Sequence, residues 1–154
     1  MNEITAITEN KQYIKVEIGD ENFGIDISII DNIVRMQRIT RVPSVPAYIK
    51  GVINLRGEIV PIMNLRLKMG LEEREYDKNT RIIIIKTDAY GKIGMIVDAV
   101  KEVVTMEEAQ IEKMRFDSVE ENHYVQGVGK FGDTLISVLD ISVVLAEKQV
   151  KEEF

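Results

Sequence analysis

The sequence contains no cysteine and a single histidine, His123. The lack of cysteine excludes disulfides and thiolate metal ligands, and a lone histidine excludes a histidine-rich metal site. His123 lies between Asn122 and Tyr124 with no reactive cysteine to pair with, so we expect it in a surface loop. Catalysis by a Cys–His pair is therefore ruled out.

Long apolar runs are also missing. The longest strongly apolar run, residues 82–85, is far shorter than the ~20 residues that cross a bilayer. Residues 1–12 show neither the basic nor the apolar region of a signal peptide. A hydrophobic content of 45% with 30% charged residues is typical of a globular protein. Neither membrane insertion nor disorder is expected.

Positive charge is in deficit. Lys and Arg number 20 against 26 Asp and Glu, which gives a net charge of −6. The long-range field of such a chain repels phosphate backbones. A nucleic-acid partner is therefore not expected.

Two stretches of the chain repeat two others. Residues 51–65 align without a gap on residues 127–141, and residues 24–36 align on residues 94–106. Apolar positions coincide while polar ones differ, as expected if burial fixes the pattern. Solenoid repeats have shorter units and more copies, so two copies of this size predict paired barrels or sheets about a pseudo-twofold axis. Chance similarity between two β-rich stretches is the alternative.

Short, closely spaced strands dominate the prediction. A hairpin is expected over 51–55 and 58–63, with glycine at the turn after Arg56, and a strand over 81–87. Ser28 is a candidate cap for a short helical segment, Asn64 caps a helix ending at Gly70, and Asp140 precedes a C-terminal helix. These strands are mostly antiparallel and favour a mostly β fold of two small barrels. The expected bounds are about 13–70 and 80–141 for the barrels and 141–151 for the helix, within one domain over 1–154.

Few side chains suit catalysis. Asp26, Asp98 and Asp140 sit among apolar neighbours and are the candidates for a carboxylate acid with a raised pKa, although capping or turn roles fit them better. The glycine string Gly127-Val-Gly129-Lys-Phe-Gly132 has the pattern of strand, turn and strand, so it predicts a hairpin instead of a phosphate cradle.

Consecutive apolar pairs indicate strands that are covered on both faces. They occur at 29–30, 33–34, 59–60 and 103–104. One explanation is a central hydrophobic seam between the two halves. The other adds partner proteins at exposed strands or in the groove between the halves. The two explanations are compatible.

The segment 42–65, VPSVPAYIKGVINLRGEIVPIMNL, resembles the signature of the chemotaxis coupling protein CheW family. The proline-bracketed loop, the NLRG turn and the VPIxxL strand occur together and in order. Residues 94–100 (GMIVDAV) and the closing hairpin at 127–133 extend the resemblance over nearly the whole chain. The resemblance implies two SH3-like five-stranded β-barrels related by a pseudo-twofold axis, with short helices and a C-terminal helix.

The function that this resemblance implies is a non-enzymatic adaptor. CheW-like proteins link the cytoplasmic tips of chemoreceptors (methyl-accepting chemotaxis proteins) to the regulatory domain of the histidine kinase CheA, in membrane-associated signalling arrays. The implied location is cytoplasmic, with no cofactor, metal or small-molecule substrate. A scaffold of another two-component array and a small carboxylate-dependent hydrolase are the alternatives.

Candidate partner contacts also come from the resemblance. Asn54, Arg56 and Gly57 fall on the NLRG turn, and Arg56 is the strongest candidate because a guanidinium makes multi-acceptor contacts. A freely exposed arginine, or one that ties the two halves together, is the alternative for Arg56. The further candidates for receptor contact are Ile30, Ile33, Val34 and Val97. Those for kinase contact are Met36, Ile39, Val42 and Tyr48 on the first barrel and Val125, Val128 and Phe131 on the second.

These positions fit the protein core equally well. Asn32 stands where the family often has an acidic residue, so either Asp31 replaces that carboxylate or the partner contact is weaker.

Overall fold

The computed structural model describes residues 10–113 and 124–146. Eleven strands, two short α-helices and two 3₁₀ turns (Ile27–Ile29 and Glu108–Gln110) are formed within these ranges. The strands are β1 (Asn10–Ile18), β2 (Glu21–Asp26), β3 (Ile30–Arg35), β4 (Ile49–Leu55), β5 (Glu58–Asn64), β6 (Arg81–Thr87), β7 (Gly91–Val97), β8 (Ala99–Glu107), β9 (Ile111–Lys113), β10 (Val125–Phe131) and β11 (Thr134–Leu139). The helices are α1 (Leu65–Lys68) and α2 (Ile141–Leu145). The predicted mostly β fold is confirmed.

The strands form two sheets, and the predicted barrel bounds of 13–70 and 80–141 are wrong. One sheet has the order β3-β6-β7-β5-β4, and the other has the order β8-β1-β2-β11-β10-β9. The first, the inner barrel, is contiguous in sequence over residues 30–97. The second, the outer barrel, combines residues 10–26 with 99–139, so the inner barrel is inserted into it. Strands are thus exchanged between the two halves of the chain. The exchange arises because β5 pairs in parallel with β7, and β11 pairs in parallel with β2.

The chain beyond each edge strand returns to the opposite edge of its sheet. After β3, Thr40 exchanges two backbone hydrogen bonds of 2.8 and 2.9 Å with Val52 in β4. After β8, β9 pairs antiparallel with β10. Gly51 allows the first crossing, because a Cβ atom at this position would overlap the Thr40 carbonyl oxygen. Each sheet therefore wraps towards a small barrel.

The pairing register supports the predicted repeat. In β4–β5, Ile53 faces Val60, and at the equivalent place in β10–β11, Gly129 faces Ile136. Both hairpins carry a register shift at the same point, between residues 49 and 51 and between residues 125 and 127. The two hairpins are thus equivalent at an offset of 76 residues.

Both helices begin at the predicted caps and are shorter than predicted. The Oδ1 atoms of Asn64 and Asp140 accept hydrogen bonds from the backbone N–H groups of Leu67 and Val143. The C-terminal helix ends at Leu145, because Ala146 has extended backbone angles (φ −64°, ψ 137°). Residues 147–151, where the predicted helix continued, lie outside the described residues.

The first predicted helical segment is present, although the residue that caps it differs. It is a single 3₁₀ turn, and Asp26 caps it in place of Ser28.

The core covers both faces of β6, whereas the predicted pairs at 59–60 and 103–104 each leave one side chain exposed, Ile59 and Val103. In β6, Ile82 and Ile84 point into the inner barrel, whereas Ile83 and Ile85 join a larger cluster with Val16 and other outer-barrel residues. All four isoleucines are fully buried. The larger cluster is the predicted central seam between the two barrels.

Candidate functional site

The Arg56–Gly57 turn is an exposed feature of the inner barrel. Both residues have positive φ, 53° and 87°, in a two-residue loop between β4 and β5, which is the pattern of a type I′ hairpin. Asn54 stabilises the loop, since its Oδ1 accepts a 2.9 Å hydrogen bond from the Gly57 N–H. Arginine is uncommon in this left-handed conformation. The turn therefore presents the Arg56 guanidinium to solvent, at a cost in conformational free energy of the Arg56 backbone.

A charged network joins this turn to β3. The ammonium of Lys92 in β7 lies 3.1 Å from Glu58, which directly follows Gly57, and 3.6 Å from Asp31. The hydrogen bond to Glu58, followed by the charge of Asp31, raises the pKa of Lys92. No sequence pattern predicts this network, because its members lie on three strands that are distant in the chain.

Asp31 carries the carboxylate that Asn32 lacks. The pairing of β3 with β6 shifts register between Ile30 and Asn32, so Asp31 is the extra, bulged residue and is exposed. The side chain of Asn32 is occupied locally, with its Oδ1 accepting a 2.9 Å hydrogen bond from the Ile33 N–H. Asp31 is thus an exposed carboxylate at this edge of the inner barrel.

The apolar receptor candidates divide into surface and core. Ile30 and Ile33 are partly buried against the central seam, and Val34 is partly buried against the inner-barrel core. Val97 is fully buried in the seam. Its prediction as a receptor contact is wrong, because β7 lies inside the inner-barrel sheet between β5 and β6.

The kinase candidates lie on both barrels. Met36 and Ile39 are partly buried against the inner-barrel core, and Val42 is exposed. Tyr48 is partly buried, and the Lys68 ammonium lies 4.1 Å from the centre of its ring. On β10, Val125 and Val128 are partly buried, and Phe131 is 39% exposed.

Sequence reasoning missed the two most exposed aliphatic side chains of the described residues. Ile59 and Leu135 are 62% and 63% exposed and occupy equivalent positions on the two hairpins. Their 76-residue offset was visible in the repeat, but the repeat does not reveal which strand face is free.

The aspartates hold the fold together. Asp26 caps the first 3₁₀ turn and Asp140 caps α2. The Oδ2 atom of Asp98 accepts hydrogen bonds from the Gly19 N–H (2.7 Å), from Arg66 (2.7 Å) and from Arg74 (3.0 Å). All three serve the capping or structural roles that the sequence favoured, and none of them is placed as a free acid.

The remaining sequence candidates carry no chemistry in the described ranges. Gly127 and Gly129 lie within β10 and Gly132 in the following turn, so the glycine string forms the predicted hairpin. Residues 10–113 and 124–146 contain no cluster of three metal-ligating side chains. In the same ranges, no helix has the length and apolarity to cross a membrane. His123 lies outside the described residues.

The fold and the candidate site define a double-barrel module whose candidate features are surface turns and exposed apolar side chains on two barrels. The CheW-like domain model matches residues 12–149. The chain is 31% identical over 153 residues to chemotaxis protein CheW of Klebsiella aerogenes, covering 97% of this chain and 90% of that protein. It is 34% identical over 143 residues to chemotaxis protein CheW of Bacillus subtilis, covering 90% and 89%.

A solved structure has the same fold. The scaffolding protein TtCheW from Thermoanaerobacter tengcongensis matches with a TM-score of 0.82 and 31% identity, covering 91% of this chain and 95% of that one. The chain belongs to the CheW-like domain family.

Proposed function

We propose that this protein is a non-enzymatic chemotaxis adaptor, located in the cytoplasm, that couples chemoreceptors to the regulatory domain of the histidine kinase CheA. The observation that carries the proposal is the Arg56–Gly57 turn. A strained, exposed arginine costs stability, and strain at an exposed position is a pointer to function. Family membership and the names of the relatives support the chemotaxis role.

The receptor face that we propose runs from the turn to the bulge in β3. Arg56 supplies a cation, Asp31 and Glu58 supply anions held by Lys92, and Ile30 and Ile33 supply apolar surface. Such a surface suits one side of a helical hairpin that carries apolar residues beside charges of both signs.

The kinase contacts that we propose lie on both barrels, on residues that the receptor face does not use. Val42 on the loop after β3 and Phe131 at the end of β10 are exposed apolar side chains. The resemblance to the CheW family implies that the kinase regulatory domain is a homologous double barrel, which would have edges of the same kind. Contacts on two barrels would allow an adaptor to bind kinase and receptor together.

The adaptor role is tested by gel filtration of the full chain with a receptor-tip fragment and with the kinase regulatory domain. We expect co-elution with each partner and a ternary complex with both. Binding to neither would refute the proposal. Binding only to components of a different two-component array would favour the alternative scaffold function.

We expect Arg56→Asn to weaken receptor-fragment binding about tenfold while raising the free energy of unfolding by about 0.5–1 kcal/mol, because asparagine tolerates the left-handed conformation. Calorimetric titration and urea denaturation measure the two effects. Arg38→Asn is the matched control, since Arg38 is exposed and outside the left-handed region. Unchanged receptor affinity in Arg56→Asn would remove this residue from the interface.

We expect Phe131→Ser to weaken binding of the kinase regulatory domain about tenfold, because an exposed aromatic at an interface contributes more than its neighbours. Receptor binding and the Tm should change little, since the side chain is not part of the core. Tyr90→Ser, at an exposed aromatic between β6 and β7, is the control. Equal losses of kinase-domain affinity in both variants would indicate nonspecific hydrophobic association.

A further inference from the structure

The Tyr13 hydroxyl forms no hydrogen bond with the part of the chain that the structure describes. Tyr13 in β1 is only 4% exposed, and its ring packs with Val104, Met106 and Ile136 in the outer-barrel core. The hydrogen-bonding capacity of the hydroxyl is therefore left for water or a ligand to use.

Tyr13 lines a cavity at one end of the outer barrel. The cavity has a volume of about 220 Å³ and lies where β1, the second 3₁₀ turn, β9 and β10 meet. Lys11 and Gln126 at its rim are exposed, so it is accessible from solvent. At about 30 Å³ for each water-sized group, the cavity has room for roughly seven heavy atoms. Its lining residues are Lys11, Tyr13, Glu108, Ile111, Lys113 and Gln126.

Charges of both signs surround this cavity. Burial raises the pKa of the Tyr13 hydroxyl, and the negative charges of Asp26 and Glu108 raise it further. The hydroxyl therefore remains protonated in a negative local field, where it can accept a hydrogen bond from a cation. The cations are Lys113 and Lys11, and the Lys11 ammonium is 3.7 Å from Asp26.

A guest with a single charge would meet like charges at this site. An anion would face Glu108, and a cation would face Lys11 and Lys113. A zwitterion separates its two charges and can meet the opposite sign at each end. The apolar side chain of Ile111 offers a wall for a short aliphatic group.

We propose that this cavity binds a small zwitterion of the α-amino-acid class. The ammonium group lies at the Tyr13 hydroxyl and Glu108, and the carboxylate lies at Lys11 and Lys113. Binding uses the hydrogen-bonding capacity of the Tyr13 hydroxyl. The site is independent of the proposed adaptor function, although Gln126 lies on β10 beside the kinase candidates Val125 and Val128.

Titration of the full ¹⁵N-labelled chain with glycine, L-alanine and L-serine tests the proposal. We expect saturable shifts at residues lining the cavity with a Kd of about 1 mM for at least one of the three. Acetate and ethylammonium each carry only one of the two charges and should bind at least tenfold more weakly. Absence of saturable shifts with all three amino acids, or equal binding of acetate or ethylammonium, would overturn the proposal.

Two variants separate a built site from general binding. Tyr13→Phe keeps the ring and removes only the hydroxyl, and Lys113→Gln removes an exposed charge. Each should weaken amino-acid binding about tenfold, whereas Tyr90→Phe, at an exposed turn, should not. If Tyr13→Phe fails to fold, Lys113→Gln decides alone. Unchanged affinity in both folded variants refutes the assignment.

Discussion

Replacing Gly51 with alanine is expected to lower the free energy of unfolding by about 3 kcal/mol or more. The new Cβ would overlap the Thr40 carbonyl oxygen and lie 2.9 Å from the Ile39 side chain. The first of these atoms belongs to the backbone, so relief requires moving the segment that crosses β4. The bridge between Thr40 and Val52, which brings the edges of the inner barrel together, would be lost.

Gly70→Ala is the matched control for this prediction. Gly70 also has positive φ, 84°, but a Cβ atom at this position would have nothing within 4 Å of it. The substitution should cost only about 1 kcal/mol, from backbone strain alone. Urea denaturation of both variants measures the difference, and similar losses in the two would mean that the close approach of Thr40 is unimportant.

Asp98→Ala is expected to lower the free energy of unfolding by about 3 kcal/mol. The Asp98 and Arg66 side chains are only 12% and 16% exposed, so removing the carboxylate leaves a largely buried guanidinium without its anion. It also leaves the Gly19 N–H without its acceptor. Arg74, which lies in the linker that follows α1, loses its hydrogen bond to Asp98. The carboxylate thus connects four segments of the chain.

Asp26→Ala removes another capping carboxylate and serves as the comparison. The Asp26 side chain is 33% exposed and, among the residues that the structure describes, accepts hydrogen bonds from Ser28 alone, beside a loose ion pair with Lys11. Its loss should cost about 1 kcal/mol. Thermal denaturation monitored by circular dichroism compares the two variants. An Asp98→Ala variant no less stable than Asp26→Ala would show that the Arg66 contact contributes little.

Local structure was predictable where turn and cap residues mark the ends of strands and helices. The strand over 81–87 matches β6 residue for residue, and the Arg56–Gly57 turn and the caps at Asn64 and Asp140 were identified correctly. Turn and cap chemistry depends on neighbouring residues, so a sequence contains the information. The helix end at Leu145 was missed because the sequence that follows has no glycine or proline to mark it.

Strand partnership was not predictable in the same way. Alternation tells which faces are apolar but not which strand lies alongside, and only two or three residue pairs form each of the parallel junctions that exchange strands between halves. The same limit explains the error at Val97, whose apolar character fits a seam and a docking surface equally well. Lys92 was missed because its partners Asp31 and Glu58 meet it only after the sheet has formed.

The insertion of the inner barrel into the outer barrel sets the order in which the two barrels can form during synthesis on the ribosome. All five inner-barrel strands are available once residue 97 has emerged, while β1 and β2 still lack β8 and β11. Until β8 to β11 have also emerged, these strands cannot cover the side of the inner barrel that carries Met63, Ile83 and Met95. The growing chain therefore passes through a stage in which a large apolar surface is exposed. The β1–β2 hairpin is the first segment that can cover this surface.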